Sequence, residues 1–371
     1  MHDTPPIRVP PPARCVHVAD LVARDGGTFT PDLPDPAAAP NTSLRLTYPL
    51  PAHASAEVAA YLRTQATATR PPQFTARMPA ARLYGSGALL SATGDLLARD
   101  VSGDLGKPFE RHWLLDFQKL RPPEPFPGTT AIAAVNLGGG YCHWLLEEFP
   151  RLLRIIPDAV DNIVAHATTP FAREALALRG GRERIVPVRR TAHWQTGPLL
   201  VPSLADSPGT PSPATVNLLQ TWARDHGLDQ PARSSAFGER LYLSREKARR
   251  RRVTNEPALW AELSARGFAK IILEELPWPE QIAALRAARV IVAPHGAGLA
   301  NLVFCTPGTR VVELVGRDYF NPVFWRLSAL AGLDYQALPA PGDTALREDP
   351  AAGPADFEAD LPALRRALTA L

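Results

Sequence analysis

The chain contains the stretch Arg289-Val290-Ile291-Val292-Ala293-Pro294-His295-Gly296-Ala297-Gly298-Leu299-Ala300-Asn301. Its β-branched run predicts a buried strand over 290–293, and the turn that follows leads into an apolar segment typical of a helix. The first N–H groups of such a helix lack partners within it and lie at the positive end of its dipole. The glycines at 296 and 298 let a ligand approach those amides closely. We therefore predict a phosphate-binding turn at 294–299; the alternative is that the glycines only permit a tight turn.

Composition limits the class of protein. The 371 residues are 45% hydrophobic and 21% charged, which is typical of a globular chain with room for two domains. A formal net charge of +3 is too small to suggest a nucleic-acid partner. Cys15, Cys142 and Cys305 are widely separated, so the sequence supports neither a disulfide framework nor a zinc site. No apolar signal core or membrane-spanning run is evident, and we expect a cytoplasmic protein.

Strands and helices are predicted to alternate from residue 129 onward. The first block has strands at 131–135, 162–167 and 185–188 with helices at 141–156, 171–178 and 214–226. The second has strands at 240–243, 270–273, 290–293 and 310–315 with helices at 257–266, 279–288 and 298–304. A small hairpin is expected within 81–106. This alternation predicts an α/β fold with parallel sheets, arranged as two Rossmann-like domains that face an interdomain cleft.

The predicted domain division has four parts. A proline-rich segment, 1–75, is expected to wrap the first domain, which occupies 76–226. A linker-like stretch at 227–238 opens the second domain, 227–341. A tail helix lies within 342–371.

Several common ligand motifs are missing. The Gly103 to Lys107 region has the wrong spacing for a Walker loop, and Asn301 occupies the third glycine position of a dinucleotide fingerprint. No Gly-x-Ser-x-Gly elbow occurs, and no Asp-x-Asp pair is present to hold a metal on a diphosphate. A diphosphate would then have to be bound by backbone amides, arginines and histidine, with no metal site.

A basic run begins where the strand at 240–243 ends. Ser244 and Arg245 follow this strand, and four consecutive arginines occupy 249–252. Because ligands bind beyond the carboxyl ends of parallel strands, we expect Ser244 and Arg245 to lie near His295. Arg249 and Arg250 are favoured as solvated surface. Glu313, late in the last strand, is expected to accept hydrogen bonds from ribose, or alternatively to form a surface ion pair.

The helix predicted at 141–156 has a polar side. His143 and Glu147 are four residues apart and therefore neighbours, with Arg151 and Arg154 on the same side. The core face is expected to contain Leu145, Leu146, Phe149, Leu152, Leu153 and Ile156. A carboxylate beside an imidazole is a reasonable general base, and we assign Glu147 that role in preference to Glu148. The alternative is an exposed face with a Glu147–Arg151 pair.

Six motifs occur together in order, and the chain resembles glycosyltransferase family 61 over about 80–340. This family was formerly a domain of unknown function linked to capsular polysaccharide synthesis. The matching motifs are GGGYCHWLLEEFPRL (138–152), YLSREKA (242–248), RRVTNE (251–256), EQI (280–282), ARVIVAPHGAGLANLVF (288–304) and VVEL (311–314).

The resemblance implies a GT-B-type, inverting transferase that uses a nucleotide diphosphate sugar without metal. It also implies that the domain at 76–226 carries the acceptor site and the catalytic base, and that the domain at 227–341 binds the nucleotide sugar. By motif, His143 and Glu147 match the family's catalytic helix, and Ser244, Arg245 and Arg251 match its basic strand end. His295, Gly296, Ala297 and Gly298 match its phosphate turn. Leu299 and Glu313 complete our predicted nucleotide-sugar site. His295 is also expected to take part in catalysis.

We therefore expect an inverting glycosyltransferase that moves a sugar from a nucleotide diphosphate sugar, a UDP-sugar by preference, to a glycan or lipid-linked glycan. The expected setting is bacterial surface polysaccharide biosynthesis, in the cytoplasm or peripherally at the inner face of the membrane, with no nucleic-acid partner and no cofactor. The alternative is a catalytically silent nucleotide-sugar-binding subunit. An NAD-dependent sugar-nucleotide enzyme is disfavoured by the missing third glycine. The sequence does not specify the sugar, the acceptor or the oligomeric state.

Overall fold

The computed structural model describes residues 9–32, 44–103, 108–116, 119–228, 237–348 and 355–369. Most of the predicted linker, 229–236, lies outside these residues. The chain forms two compact units: unit 1 contains residues 1–44 and 70–208, and unit 2 contains 45–69 and 209–371. In the described part of the chain, no helix has the length and apolar character needed to cross a membrane.

The strands are numbered along the chain. They are β1 (Arg14–Val16), β2 (Thr28–Pro31), β3 (Leu44–Thr47), β4 (Thr67–Arg70), β5 (Phe74–Met78), β6 (Ala81–Tyr84), β7 (Ala88–Leu90), β8 (Leu96–Ala98), β9 (Glu124–Phe126), β10 (Thr130–Ile132), β11 (Asn162–Ala165), β12 (Ile185–Pro187), β13 (His193–Thr196), β14 (Leu199–Pro202), β15 (Arg240–Leu243), β16 (Ala269–Ile271), β17 (Val290–Pro294), β18 (Arg310–Val315) and β19 (Asp334–Pro339).

The α-helices are α1 (Val18–Asp25), α2 (Ala56–Thr64), α3 (Tyr141–His143), α4 (Phe149–Leu153), α5 (Pro170–Arg179), α6 (Pro213–Asp225), α7 (Glu256–Ser264), α8 (Trp278–Ala287), α9 (Val323–Leu330) and α10 (Leu361–Thr369). A π-helical turn, Trp144–Glu148, joins α3 to α4. Short 3₁₀ helices occur at Phe109–Arg111, Trp113–Asp116, Pro157–Ala159, Arg182–Arg184, Leu273–Glu275 and Ala297–Phe304.

Unit 1 contains two six-stranded sheets. One has the order β1-β8-β7-β6-β13-β9 and includes the predicted hairpin, in which β7 and β8 pair antiparallel. The other has the order β12-β11-β10-β14-β5-β2, in which the first four strands are parallel. If these four strands are numbered 1 to 4 along the chain, their order across the sheet is 3-2-1-4, as in one half of a Rossmann fold. Their order reverses between β10 and β14, where a ligand crevice is expected.

Unit 2 is built on one parallel sheet with the order β16-β15-β17-β18-β19. This is the doubly wound order 2-1-3-4-5, which reverses between β15 and β17. Strands β15 and β18 have the predicted bounds, whereas β19 and α9 were not predicted. Tyr242, Val292 and Val312 from the central strands are fully buried in its core. The α/β class is confirmed; the GT-B arrangement remains a prediction.

The segment 45–69 is part of unit 2. Tyr48 Oη donates to the Pro211 carbonyl at 2.8 Å, and Tyr61 Oη donates to the Phe320 carbonyl at 2.6 Å. Trp325 Nε1 in α9 donates to the carbonyl of Pro49 at 2.9 Å. The division therefore differs from the expected one, because this segment and α6 both join the second unit instead of the first.

Candidate active site

A pocket in unit 2 lies where the order of the sheet reverses. It is formed by residues that follow β15, β16 and β17, and its empty volume of about 310 Å³ is partly open to solvent. Arg245, Glu274 and Gly296 are among its lining residues. The sequence predicted that the end of β15 and the turn after β17 lie at the same sheet edge, and this prediction is confirmed. We call it the donor pocket.

Arg245 lies directly against the turn. A β-carbon on Gly296 would be 2.0 Å from Arg245 Nη1, so the guanidinium in its present position occupies the space that a larger residue would fill. The φ of Gly296 is 178°, which any residue can adopt, so close approach rather than conformation explains this glycine. Burial lowers the pKa of Arg245 to about 10, and the charge of Arg251 acts in the same direction. Arg245 remains a cation at neutral pH, and its buried Nε has no hydrogen-bond partner in the described structure.

His295 is held by a buried network. Its Nδ1 is 2.5 Å from Glu313 Oε1, and Tyr335 Oη donates to Glu313 Oε2 at 2.5 Å. The His295 ring also packs against Tyr319 and Phe324, with ring centroids 5.5 and 5.0 Å away. Burial, followed by the charge of Glu313, raises the pKa of Tyr335 well above its ordinary value. Tyr335 therefore stays protonated as a donor to Glu313.

The expectation that Glu313 contacts ribose was wrong. Its side chain is fully buried, and both carboxylate oxygens are hydrogen bonded to protein groups. It does not form the alternative surface ion pair either. Glu313 instead orients His295, because a carboxylate at Nδ1 fixes the imidazole ring.

The basic run divides into residues with different partners. Arg251 has a φ of 58°, a left-handed conformation that is uncommon for arginine, and its guanidinium lies 4.9 Å from the centroid of the Tyr319 ring. Tyr319 contacts His295 in turn, so Arg251 belongs to the same cluster. Arg252 turns away and binds Asp356 through its Nη2 at 2.7 Å. Arg249 and Arg250 are exposed, as expected.

Ser244 lines the donor pocket, but its hydroxyl is already used. It donates to Glu256 Oε1 at 2.5 Å and accepts from the N–H of Glu246 at 3.1 Å. The predicted ligand contact of this side chain is therefore replaced by a bond that fixes the start of the basic run. Only its backbone position matches the prediction.

The turn at 294–299 leads into a 3₁₀ helix, Ala297–Phe304, rather than the expected α-helix. The N–H of Leu299 bonds to the Gly296 carbonyl at 2.9 Å, the i+3 pattern of that helix. Leu299 is buried. A β-carbon on Gly298 would meet Leu273 Cδ1 at 2.6 Å, so this glycine makes room for an apolar side chain. The amides of Ala297 and Gly298 remain at the helix start, beside the donor pocket.

The helical segment 141–153 of unit 1, which carries His143 and Glu147, contains an irregularity that Pro150 explains. Pro150 lacks an N–H and its ring would clash with the carbonyl four residues earlier in a regular α-helix. The chain avoids this clash with a π-turn in which the N–H of Phe149 bonds to the Trp144 carbonyl, five residues back. Such turns shift the faces of a helix and occur often at functional sites.

Part of the predicted core face is wrong, because the helical segment contains the π-turn and ends at Leu153, before Ile156. Ile156 was placed in the core but is 70% exposed, and Ile155 is buried instead. Arg151 was placed on the polar side but is fully buried. Its Nε donates to the Pro202 carbonyl at 2.8 Å and its Nη1 donates to the Ala134 carbonyl at 2.9 Å. Arg151 therefore joins the ends of β10 and β14 and does not pair with Glu147.

His143 and Glu147 form the predicted pair. His143 Nδ1 lies 2.7 Å from Glu147 Oε1. Burial alone would lower the pKa of His143, but the hydrogen bond and charge of Glu147 outweigh it, so the pKa is raised. Glu147 is only 7% exposed. It lines a pocket with an empty volume of about 320 Å³ in unit 1, which we call the acceptor pocket.

The acceptor pocket lies where the parallel strands of unit 1 reverse their order. Asn136 and Leu137, which follow β10, and Leu204 and Asp206, which follow β14, contribute to its lining. Asp206 is buried and pairs with Arg70 Nε at 3.1 Å. The position matches that of the donor pocket in unit 2 relative to its own sheet.

Glu148 has a different role from its neighbour. It is fully buried, and its oxygens accept from the N–H of Val135 at 3.1 Å, the N–H of His166 at 2.5 Å and His166 Nδ1 at 2.7 Å. A β-carbon on Gly138 would lie 2.0 Å from Glu148 Oε2. We call Glu148, His166 and Gly138 the brace. The sequence analysis missed His166. This residue directly follows β11, just as Ser244 directly follows β15, so the same rule would have identified it.

Among the described residues, no group of three or more His, Cys, Asp and Glu side chains is arranged to hold a metal ion. The metal independence of the reaction remains a prediction.

Comparison with known proteins matches the region that contains His143, Glu147, Arg245 and His295. The sequence model of the family Glycosyltransferase 61 matches residues 141–312. A beta-1,2-xylosyltransferase of Oryza sativa subsp. japonica is 41% identical over 66 residues, 18% of this chain and 12% of that protein. A beta-1,2-xylosyltransferase of Arabidopsis thaliana is 29% identical over 86 residues, 21% of this chain and 16% of that protein. The alignments thus span less than a fifth of either relative. The resemblance to glycosyltransferase family 61 that the sequence motifs predicted is confirmed over residues 141–312, slightly less than half of the chain.

Proposed function

We propose that this protein is an inverting glycosyltransferase that transfers a sugar from a nucleotide diphosphate sugar to a hydroxyl group of a glycan. The observation that carries the proposal is the Arg245 guanidinium, seated against Gly296 in a pocket at the reversal point of a doubly wound sheet. A half-buried cation whose buried Nε is unpartnered in the described structure suits a diphosphate at this position. The family match supports the same class of reaction.

In the proposed reaction, an acceptor hydroxyl oxygen attacks the anomeric carbon of the donor. The new glycosidic bond forms as the bond to the diphosphate breaks, which inverts the anomeric centre. The hydroxyl proton moves to Glu147, and the leaving diphosphate takes the bonding electron pair. Arg245 and Arg251 offset its charge, and His295, oriented by Glu313, contacts the departing group from the same cluster.

Glu147 is the base that the contacts favour. Its carboxylate lines the acceptor pocket and has His143 as its described hydrogen-bond partner, whereas Glu148 is occupied by three donors in the brace. His143 orients Glu147. This proposal includes a GT-B arrangement, in which both pockets serve one reaction.

We propose a UDP-sugar as the donor. Two plant relatives are named beta-1,2-xylosyltransferases, which favours testing UDP-xylose first, with hexose donors beside it. We retain bacterial surface polysaccharide assembly as the proposed setting and a glycan or lipid-linked glycan as the acceptor.

The experiment is a transfer assay with a panel of nucleotide sugars and glycan acceptors, applied to Glu147→Gln and Glu148→Gln. A working base contributes on the order of 10²–10⁴ in rate, so Glu147→Gln should nearly abolish transfer while donor binding and the melting temperature stay close to wild type. Glu148→Gln should lower the melting temperature, because it disturbs the buried brace. If Glu147→Gln keeps most of its activity and Glu148→Gln folds normally but is inactive, the assignment of the base is wrong.

The second candidate is a silent subunit that binds a nucleotide sugar without transferring it. The His143–Glu147 pair beside a pocket argues against it, since a binding subunit needs no base. Slow hydrolysis of the donor without acceptor would favour the enzyme. Donor binding with no transfer or hydrolysis across the panel would favour the silent subunit.

A further inference from the structure

Unit 2 contains a further pocket, which lies between α6, α8 and the end of the 3₁₀ helix. Its empty volume is about 630 Å³, about twice that of the donor pocket. The two pockets share no lining residue. Helix α8 runs from the carboxyl end of β16 to the amino end of β17, and the pocket lies beside the last part of α8. It therefore lies toward the sheet edge opposite the donor pocket.

The walls of this pocket are fixed by contacts within the unit. Gln220 Nε2 in α6 donates to the carbonyl of Val303 at 3.0 Å. Thr306 Oγ1 donates to the carbonyl of Arg286 at 3.0 Å, which ties the end of α8 to the segment after the 3₁₀ helix. Trp278 and Phe304 pack edge to face at 6.1 Å. The pocket is thus formed before any ligand arrives, as small-molecule sites commonly are.

Two guanidinium groups face this space. Gln220 and Arg224 lie four residues apart on α6, and Ile282 and Arg286 lie four residues apart on α8, so each pair shares one helix face. The lining contains no aspartate or glutamate. Within the described ranges, neither Arg224 nor Arg286 forms an ion pair with a carboxylate. Two cations that share a pocket with no internal counter-ion favour an anionic occupant.

The remaining wall is apolar. Ala223, Ile282, Phe304 and Pro307 line it. Such a surface gains free energy by packing against carbon groups, which inorganic phosphate does not have.

We propose that this pocket is a second ligand site, which binds an organic phosphate monoester. The phosphate is bound by Arg224 and Arg286, with Gln220 as an additional polar group, and the organic part packs against Pro307, the exposed member of the apolar wall. The site is separate from the donor pocket and takes no part in the transfer step.

The test measures binding of phenyl phosphate and of inorganic phosphate by calorimetry, in full-length protein that carries Arg245→Gln to weaken the donor pocket. We expect phenyl phosphate to bind at one site and more tightly than inorganic phosphate. Adding Arg286→Gln should weaken its binding at least tenfold, and adding Arg224→Gln should weaken it severalfold. Arg289→Gln is the matched control: it removes the same charge from an exposed residue next to α8 that does not line the pocket, and it should leave the affinity unchanged.

Three outcomes would overturn the proposal. The first is unchanged affinity in both Arg224→Gln and Arg286→Gln. The second is an equal loss in Arg289→Gln, which would mean that only the surface charge matters. The third is equal affinity for the two phosphates, because the apolar wall would then have no role. If Arg286→Gln lowers the melting temperature, the test rests on the phenyl phosphate affinity of Arg224→Gln, because Arg224 is exposed and its replacement should not affect folding. The assay needs neither donor nor acceptor, so it is independent of transferase activity.

Discussion

At the scale of single residues, the position of the Arg245 side chain depends on the absence of a β-carbon at Gly296. Arg245→Ala removes a charge-assisted contact, typically worth about 1.5–3 kcal/mol, so UDP affinity should fall roughly ten- to a hundred-fold. Gly296→Ala should produce a similar loss with Arg245 still present, because the new β-carbon would lie 2.0 Å from Arg245 Nη1 and displace the side chain. Titration calorimetry with UDP measures both.

Arg249→Ala is the control for this pair. Arg249 is exposed and belongs to the same basic run, so its loss should change UDP affinity little. Equal losses in Arg249→Ala and Arg245→Ala would show that the general charge of the run, and not the seated guanidinium, attracts the nucleotide.

His143 gives the free energy of unfolding a defined pH dependence. Its pKa in the folded state is raised by Glu147 above the ordinary histidine value of about 6.5. The stabilisation from this pair is therefore fully present below that value and is lost as the pH rises through the raised pKa. Urea unfolding of wild type and His143→Gln should show the largest difference near pH 5.5 and a smaller one near pH 8.5. A difference that grows with pH would contradict the assigned direction.

At the scale of elements, the brace holds the π-turn of the segment 141–153 against the residue that follows β11. Gly138→Ala should lower the free energy of unfolding by about 1–3 kcal/mol, because its β-carbon would lie 2.0 Å from Glu148 Oε2 and 2.6 Å from His166 Nδ1. Both of these atoms are hydrogen bonded to each other and cannot move independently. Chemical denaturation gives the difference.

Gly139→Ala is a matched control in the adjacent position. Its β-carbon would find its nearest neighbour at 3.8 Å, an ordinary contact, so stability should change little. Equal effects of the two substitutions would indicate that loss of glycine flexibility, and not the close packing of the brace, destabilises the loop.

The elements differ in how well local sequence predicts them. Strands β15 and β18 were predicted with their observed bounds, because each is a short apolar run flanked by clear breaks. The faces of the helical segment 141–153 were only partly predicted, because helical periodicity assumes 3.6 residues in each turn and the π-turn before Pro150 does not obey it. Proline inside an otherwise helical pattern was the signal that could have revealed the irregularity.

The partners of buried polar groups were harder to predict. Glu313 and Arg151 were assigned to solvent or ligand from their positions along the chain, whereas both bind groups distant in sequence. No local pattern specifies such partners. Arg245 was predicted correctly as a neighbour of the turn because the edge of a parallel sheet brings strand ends together whatever the loop sequences are.

The leaving-group chemistry can be tested at the scale of the whole molecule. Because we assign the diphosphate charge to arginines and backbone amides, transfer activity should survive excess EDTA. The assay compares treated protein with and without added magnesium or manganese. Complete loss on chelation, restored by either ion, would show that a metal is required.

The assignment of residues 45–69 to unit 2 has a consequence for the order of synthesis. These residues leave the ribosome before about 140 residues of unit 1, and their partners Pro211, Phe320 and Trp325 follow later still. At roughly 5–20 residues per second, the wait is on the order of ten seconds or more. During that time Val58 and Leu62, both fully buried in the finished protein, have no unit 2 core to enter. The apolar side chains of this segment therefore stay exposed in the nascent chain while unit 1 folds behind it.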